Sequence, residues 1–277
     1  MTKLVIFGLG YTAGRLAARL RAEGWRVAGT SRDGREGTIA FDDADRVRAE
    51  LAAATHVLSS VPPDGAGDAV LARYGDALAG QWLGYLSSTG VYGDAGGAWV
   101  DESAPVGQGR RRARADADAA WLALGARVFR LPGIYGPGRS ALERVAEGRA
   151  HRVDAAGQVF SRVHVDDVVR GVVAGFDASA GAYNLADDAP ASQNDVVAFA
   201  AGLLGMPLPP VVPLDDLPPA ARGFYAENRR VANGKAKRVL GWAPRFGDYR
   251  VGLRALNAMT RPMTVSTPPA TASQVQR

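Results

Sequence analysis

The sequence predicts an α/β protein in which a doubly wound parallel sheet is followed by a smaller C-terminal substrate lobe. In the first half of the chain, short apolar, β-branched runs alternate with longer stretches of helical periodicity. This alternation is typical of βαβ units around a parallel sheet. After Leu131 the chain changes to proline- and glycine-rich connections between helical stretches at residues 166–176 and 192–204, which indicates a differently built second part.

Six strands are predicted from the apolar runs. They comprise residues 4–7, 26–30, 38–41, 56–61, 82–87 and 127–131. Between the first two, Leu16, Ala17 and Leu20 recur at three- and four-residue steps and form one apolar helix face. A crossover helix is therefore expected after the first strand.

The first predicted strand leads into a glycine-rich turn, Gly8-Leu9-Gly10-Tyr11-Thr12-Ala13. This stretch matches the G-x-G-x-x-G/A fingerprint, in which one glycine allows the tight turn and the next lets a pyrophosphate approach. The following helix would offer its free N–H groups to the phosphates. Because glycine is abundant, 34 of 277 residues, the alternative is a merely structural turn. The strand before it and the helix after it favour a Rossmann-type dinucleotide site.

The end of the second predicted strand distinguishes the two nicotinamide cofactors. An acidic residue there accepts from the ribose 2′-OH of NAD, whereas arginine suits the 2′-phosphate of NADP. The chain has Ser31 and Arg32, a hydroxyl and a planar guanidinium, followed by Asp33. NADP is therefore the expected cofactor. NAD is the alternative if Arg32 is only a solvated loop residue.

Composition and charge argue against several classes of partner. The net charge of +5 arises from 33 basic and 28 acidic residues spread along the chain, so nucleic acid is not expected. The chain has no cysteine, which excludes disulfides and thiolate zinc sites, and no metal is expected. The first apolar run is too short for a signal sequence or membrane span, so we expect a cytoplasmic protein without a membrane partner.

Residues 1–260 are expected to form a single unit, followed by a flexible tail. Residues 1–135 would carry the dinucleotide-binding part and residues 136–260 mostly the substrate lobe. The proline pairs at 209–210 and 218–219 indicate loops or sheet edges. Residues 261–277 have almost no large apolar side chains, so their removal should leave the melting temperature unchanged.

Five short motifs together resemble the extended short-chain dehydrogenase/reductase superfamily, the group of nucleotide-sugar epimerases and dehydratases. They occur in the family's order: YLSSTGVYGD at 85–94, DESAP at 101–105, RLPGIYGPG at 130–138, HVDD at 164–167 and LGWAP at 240–244. The resemblance covers the chain to about Leu256. It implies a Rossmann-type fold with a nicotinamide cofactor.

The resemblance also implies site residues. Ser88, four residues before Tyr92, stands where the family orients the substrate oxygen, and Tyr92 is the nearest phenol that could exchange a proton. The alternative is that Ser88 caps a strand end and Tyr92 packs under residues 93–97. Asp42 would meet the adenine, or else cap a helix. Further residues bordering the cofactor would be Ser60, Val61, Pro62, Pro132, Gly133 and Ile134.

The sequence departs from the family pattern at the catalytic Tyr-x-x-x-Lys, which should follow residues 101–105. No tyrosine occurs between Tyr92 and Tyr135, and no lysine from Leu4 to Gly234. Arginine replaces that lysine poorly because it stays protonated above about pH 12. The chain therefore resembles the atypical subgroup without this pair. Slow turnover that rises with pH is expected, since an unassisted phenol has a pKa near 10.

Two further features have two interpretations each. The arginines at 110, 111, 112 and 114 predict either a clamp for an anionic substrate or a solvated helix surface that pairs with Asp116 and Asp118, and the second is preferred. His164 has the apolar neighbours Val163 and Val165, so a packed structural histidine is preferred over a catalytic base.

The sequence thus favours an NADP-dependent oxidoreductase or epimerase/dehydratase-like enzyme. Its small polar substrate, sugar-like or carbonyl, would bind between the carboxyl edge of the sheet and the C-terminal lobe. The alternative is a non-catalytic NADP(H)-binding redox sensor. The sequence leaves a homodimer open.

Overall fold

The computed structural model describes residues 2–35, 37–109 and 112–260. The strands are β1 (Lys3–Phe7), β2 (Arg26–Ser31), β3 (Ile39–Ala40), β4 (His56–Ser59), β5 (Trp82–Ser88), β6 (Trp99–Val100), β7 (Arg127–Leu131), β8 (Gly133–Tyr135), β9 (Arg152–Asp154), β10 (Arg162–His164), β11 (Gly181–Asn184), β12 (Val211–Pro213) and β13 (Arg230–Val231). The α-helices are α1 (Tyr11–Ala22), α2 (Ala44–Ala52), α3 (Ala69–Tyr74), α4 (Arg112–Ala123), α5 (Ala141–Ala146), α6 (Val165–Ala174), α7 (Gln193–Leu204), α8 (Pro219–Tyr225), α9 (Gly234–Val239) and α10 (Tyr249–Thr260). Arg110, Arg111 and the predicted tail at 261–277 lie outside the described residues.

Seven parallel strands form the main sheet, in the order β11-β7-β5-β4-β1-β2-β3. The chain leaves β1 toward β2 and later returns on its other side to β4. This reversal opens a crevice at the carboxyl ends of the two strands, where such sheets bind ligands. The predicted doubly wound α/β fold is confirmed.

The sheet is covered by helices on both faces because its strands are apolar on both sides. In β1, Leu4 and Ile6 pack into one layer with α1 and α6. Val5 and Phe7 point the opposite way, toward α2 and α4. Successive side chains of a strand alternate between faces, so one continuous apolar run supplies both cores and makes β1 a central strand.

The predicted strands are confirmed with end shifts of at most two residues, but β11 was not predicted. It adds a seventh strand from beyond residue 136, and α6 from the same part packs on α1. The expectation of a loop at the second proline pair is wrong at Pro219, which begins α8. Proline is well tolerated at a first helical position, since its missing N–H would be unpaired there.

The second lobe is built around α5, α7 and α10. Their apolar faces meet in a small core that includes Leu142, Val197 and Leu253. Two short parallel pairs, β8 with β10 and β9 with β12, lie outside the main sheet; β9 contacts α7, and β10 contacts α10. In the part of the chain that the structure describes, no helix combines the length and apolar character needed to cross a membrane.

Candidate functional site

The turn after β1 is tight and requires glycine. Gly8 has a φ of +80°, a conformation that side-chain-bearing residues rarely adopt. A Cβ there would lie 3.0 Å from Cγ2 of Val61. The Gly8 N–H donates to Oγ1 of Thr30 at 3.2 Å, and the Leu9 N–H donates to the Thr30 carbonyl at 2.8 Å. The turn is therefore held against the ends of β2 and β4.

Helix α1 begins directly after this turn. Gly10 is extended, and within the described residues no side chain caps the helix. Thr12 and Ala13 are buried, and the Tyr11 hydroxyl donates to the Pro137 carbonyl at 3.1 Å. The predicted residues therefore offer a ligand their backbone N–H groups and not their side chains. N–H groups in the first turn of a helix suit a pyrophosphate.

A cavity of about 530 Å³ lies beside this turn. It brings together nine predicted cofactor residues, namely Gly8, Leu9, Gly10, Ser31, Arg32, Asp42, Ser60, Val61 and Pro62. It adds five that were not predicted, namely Thr30, Asp33, Arg35, Phe41 and Ala69. A Cβ on Gly8 would narrow the cavity, so the glycine keeps it open. The hydrogen-bond donors around it, backbone N–H groups and arginines, are those of a phosphate site. The residues therefore fit the adenosine half of a dinucleotide.

The loop after β2 presents two arginines to this cavity. The Ser31 hydroxyl lies 2.7 Å from Oγ1 of Thr38 and accepts from the Gly34 N–H at 3.0 Å, so it organises the loop. Arg32 is exposed and has no hydrogen bond or ion pair to another described residue. Arg35, which sequence reasoning missed, lines the same wall. The signal was a second arginine three residues further along one loop.

Asp42 lies at the mouth of the cavity. Its carboxylate is 3.3 Å from Nη1 of Arg73, and its own carbonyl accepts from Nη2 of the same residue at 2.9 Å. The alternative that Asp42 caps a helix is wrong, because Asp43 accepts from the Arg46 N–H and caps α2. The adenine contact of Asp42 stays a prediction.

A second cavity, of about 600 Å³, opens at the carboxyl ends of β5 and β7. Ser88 lines it together with Pro132, Gly133 and Ile134, so the structure brings these four predicted residues together. The Ser88 hydroxyl also accepts from the Gly90 N–H at 3.1 Å. It therefore caps the turn after β5, as the alternative expected, while its side chain still borders the cavity.

Tyr92 is placed differently from Ser88, because it is buried and is not among the residues lining either cavity. Its hydroxyl donates to Oδ1 of Asn184 at 2.8 Å and accepts from Nη1 of Arg130 at 3.0 Å. Burial raises the pKa of Tyr92, and Arg130 only partly opposes this effect. Proton exchange by Tyr92 stays a prediction, and this geometry gives it no direct route to the cavity.

The cation that contacts the Tyr92 hydroxyl comes from β7. Arg130 forms a buried bidentate pair with Asp118, with Nη2 2.7 Å and Nε 3.1 Å from its carboxylate. Asp118 also accepts from the Ser87 hydroxyl at 2.6 Å. The expectation that Asp118 pairs with arginines on a solvated helix surface is therefore wrong. The available signal was an arginine inside the apolar run of β7.

His164 is structural, as preferred from the sequence. It is buried at the start of α6, where its Nδ1 accepts from the Asp166 N–H at 3.2 Å. Its ring meets Tyr135 edge-on with centroids 5.2 Å apart. Burial lowers the pKa of His164. Among the described residues, no group of three or more His, Asp or Glu side chains is arranged to hold a metal.

The second cavity also has a cationic lining, a feature that sequence reasoning missed. Five arginines line it, namely Arg139, Arg144, Arg149, Arg162 and Arg229. Three of them lie within residues 139–149, whereas Arg162 is on β10 and Arg229 lies much further along the chain, so no single motif indicates the set. This cavity therefore combines a hydroxyl at the sheet edge with a concentration of positive charge.

Comparison with solved structures shows which known proteins share this fold. The human epimerase family protein SDR39U1 (isoform 2) with NADPH matches at a TM-score of 0.73 and 16% identity, covering 93% of this chain and 99% of that one. A dTDP-glucose 4,6-dehydratase from Bacillus anthracis in complex with NAD matches at 0.73 and 15%, with 93% and 96% covered. The chain therefore shares the fold of these epimerase- and dehydratase-type proteins.

Within this class one relative shares almost the whole chain. A functionally unknown conserved protein from Silicibacter pomeroyi is 42% identical with a TM-score of 0.83, covering 94% of this chain and 99% of that one. The chain belongs to the same family as this protein. A 3-diazoavenalumate denitrifying reductase from a Streptomyces species is 32% identical over 138 residues, which are 46% of this chain and 45% of that relative. No protein-family model matches the chain.

Proposed function

We propose that the chain is an NADP(H)-dependent oxidoreductase acting on a small polar carbonyl or sugar-like substrate, in a site related to those of epimerases and dehydratases. The observation that carries the proposal is that Ser88 lines one cavity with Pro132, Gly133 and Ile134, while the glycine-rich turn lines another. The named reductase among the relatives and the neighbours solved with NAD or NADPH support it.

The chain's own groups would hold the cofactor in two places. The N–H groups at the start of α1 would bind the pyrophosphate, and Arg32 with Arg35 would bind a 2′-phosphate. When bound, the nicotinamide supplies or accepts a hydride. Ser88, at the carboxyl end of β5, would donate a hydrogen bond to the substrate oxygen and so fix its distance from the nicotinamide.

Tyr92 would act through the strand that carries Ser88. Its hydroxyl belongs to the buried Arg130–Asp118 network, which also holds Ser87, the neighbour of Ser88. Tyr92→Phe should lower turnover at least tenfold through this positioning, with an unchanged shape of the pH–rate profile. If Tyr92 exchanges the proton itself, the alkaline limb of that profile should disappear in the variant.

The test of Ser88 uses Ser103 as a matched control. Ser103 is exposed and bonds only to Asp101 among the described residues, so Ser103→Ala should leave turnover unchanged. Ser88→Ala should lower NADPH oxidation, followed at 340 nm, at least tenfold while NADPH affinity stays within twofold. Equal turnover of both variants and wild type would remove Ser88 from the site.

The second candidate function is a redox sensor that binds NADP(H) without turnover. The observations that favour it are the missing Tyr-x-x-x-Lys and the engaged hydroxyl of Tyr92. A wild-type protein that binds NADPH tightly but oxidises none of a broad carbonyl panel would establish this candidate.

A further inference from the structure

The positive charge of the arginines that line the substrate cavity is only partly neutralised by carboxylates of the described residues. The five arginines there are accompanied by one carboxylate in the lining, Glu227, whose oxygen lies 3.0 Å from Nη1 of Arg229. Arg149 is paired with Glu147 on the same short segment. Those two cations thus have their own counter-ions, whereas Arg144 and Arg162 have none among the residues that the structure describes.

Arg144 lies on α5 and opens into the cavity. Within the described ranges its side chain has neither a hydrogen bond nor an ion pair. Desolvation lowers the pKa of Arg144. The nearby charge of Arg149 lowers this pKa further, whereas Tyr225 raises it. Arg144 nevertheless remains an exposed residue, so an anion from solution can reach its guanidinium and replace the water that partial burial removes.

Arg162 stands behind it on β10 and is 8% exposed. Its Nη1 donates to the carbonyls of Phe160 and Ala191, both at 2.8 Å, which fixes its direction without neutralising it. No carboxylate of the described residues lies within ion-pair distance. Asp187 is the carboxyl that favours its charge most, but burial raises the pKa of Asp187 to about 8. At neutral pH it is therefore largely protonated.

Apolar side chains form part of the remaining wall of this cavity. Phe160 and Tyr225 meet edge-on with ring centroids 5.4 Å apart, and Val159 and Leu217 line the cavity beside them. Ser88 borders the same space from the sheet side. A ligand that reaches from Ser88 to the arginines would therefore pass along an aromatic and aliphatic surface.

We infer that this cavity takes a small anionic substrate with an apolar body, whose carboxylate or phosphate group binds Arg144, with Arg162 adding charge from behind. This inference rests on the proposed function, since it names the substrate class of that site. A planar guanidinium accepts either group in a bidentate arrangement. The anion supplies the counter-charge that the protein withholds, and the aromatic wall covers the apolar body.

The probes are 4-fluorobenzoate, 4-fluorophenyl phosphate and the neutral 4-fluorobenzamide, titrated by ¹⁹F NMR into the full chain with and without NADPH. At least one anionic probe should bind ten or more times as tightly as the amide. Arg144→Gln should reduce that preference to twofold or less. Arg149 already forms an ion pair with Glu147, so Arg149→Gln should change the preference for the anionic probe less than threefold. Because Arg144 is an exposed helix residue, an unchanged melting temperature shows that the variant folds.

The headgroup is read from the two anionic probes, since the tighter of them identifies carboxylate or phosphate. Equal binding of amide and anions by wild type, or equal effects of the two arginine substitutions, would overturn the inference. So would displacement of the aryl probes by inorganic phosphate at equal affinity, because the apolar wall would then contribute nothing. NADPH binding is measured separately by its fluorescence, so a missing cofactor site is distinguished from a missing anion site.

Discussion

Replacing Asp118 by alanine should lower the free energy of unfolding more than the loss of a surface ion pair does. Asp118 is fully buried and accepts three hydrogen bonds, two from Arg130 and one from Ser87. Burial opposes the charge on Arg130, but its bonds to Asp118 and Tyr92 outweigh this and raise the pKa of Arg130. The substitution leaves that cation buried with Tyr92 as its one remaining partner in the network.

The expected loss of stability follows from what happens when a buried ion pair loses only one of its two partners. Removing one partner of a buried ion pair costs about 3 to 5 kcal/mol, because the other charge stays desolvated. Asp118→Asn keeps the shape and one acceptor, so its cost should be smaller. An exposed pair offers the control: Arg19 and Glu23 lie 2.8 Å apart on α1 with both side chains open to solvent. Arg19→Ala should cost less than about 1 kcal/mol.

The free energies of unfolding are obtained from urea titrations of the wild type and the three variants by linear extrapolation. The expected order of stability is wild type, Arg19→Ala, Asp118→Asn, Asp118→Ala. If Asp118→Ala loses no more stability than Arg19→Ala, the Arg130–Asp118 pair does not hold the sheet edge. The account of Tyr92 as a positioning residue would then fail with it.

Three further predictions concern the cofactor turn and pH. Arg32→Ala should weaken NADPH binding about tenfold or more in calorimetry while NADH binding stays unchanged; equal losses for both would contradict the 2′-phosphate assignment. Gly8→Ala should weaken NADPH binding and lower the melting temperature, because of its φ and the contact with Val61, whereas Gly14→Ala in open space on α1 should do neither. Folding raises the pKa of Asp187 to about 8, so the folded state binds this proton more tightly than the unfolded chain. Wild-type stability should therefore fall relative to Asp187→Asn as pH rises from about 4 to about 8, and parallel curves would refute this.

The sheet could be predicted largely from the sequence because its strands are apolar on both faces. The run from Leu4 to Phe7 has no polar residue, and a continuous apolar run of this length followed by a glycine turn is typical of a central parallel strand. Strand β11 escaped prediction because its four residues, GAYN, have no such run. Its strand conformation depends on pairing with β7, which no local pattern reports.

The cofactor turn was predictable because its residues are adjacent in sequence and glycine has a specific backbone role there. The cationic cavity was not, because Arg144, Arg162 and Arg229 come from separate elements that only the fold brings together. Arginine is usually solvated, so the burial of Arg162 could not be predicted, and the one signal for Arg130 was its position inside the apolar run of β7. The spacing between Ser88 and Tyr92 suggested that both line one cavity, but Tyr92 is buried beside Arg130 and does not line it.

The most direct test of the central claim is the consumption of NADPH by the wild-type chain, followed at 340 nm with a panel of sugar and carbonyl substrates. The account predicts turnover of at least one substrate, faster with NADPH than with NADH, and highest among substrates that carry a carboxylate or phosphate. Tight NADPH binding without turnover of any substrate would contradict the claim that the chain is an oxidoreductase.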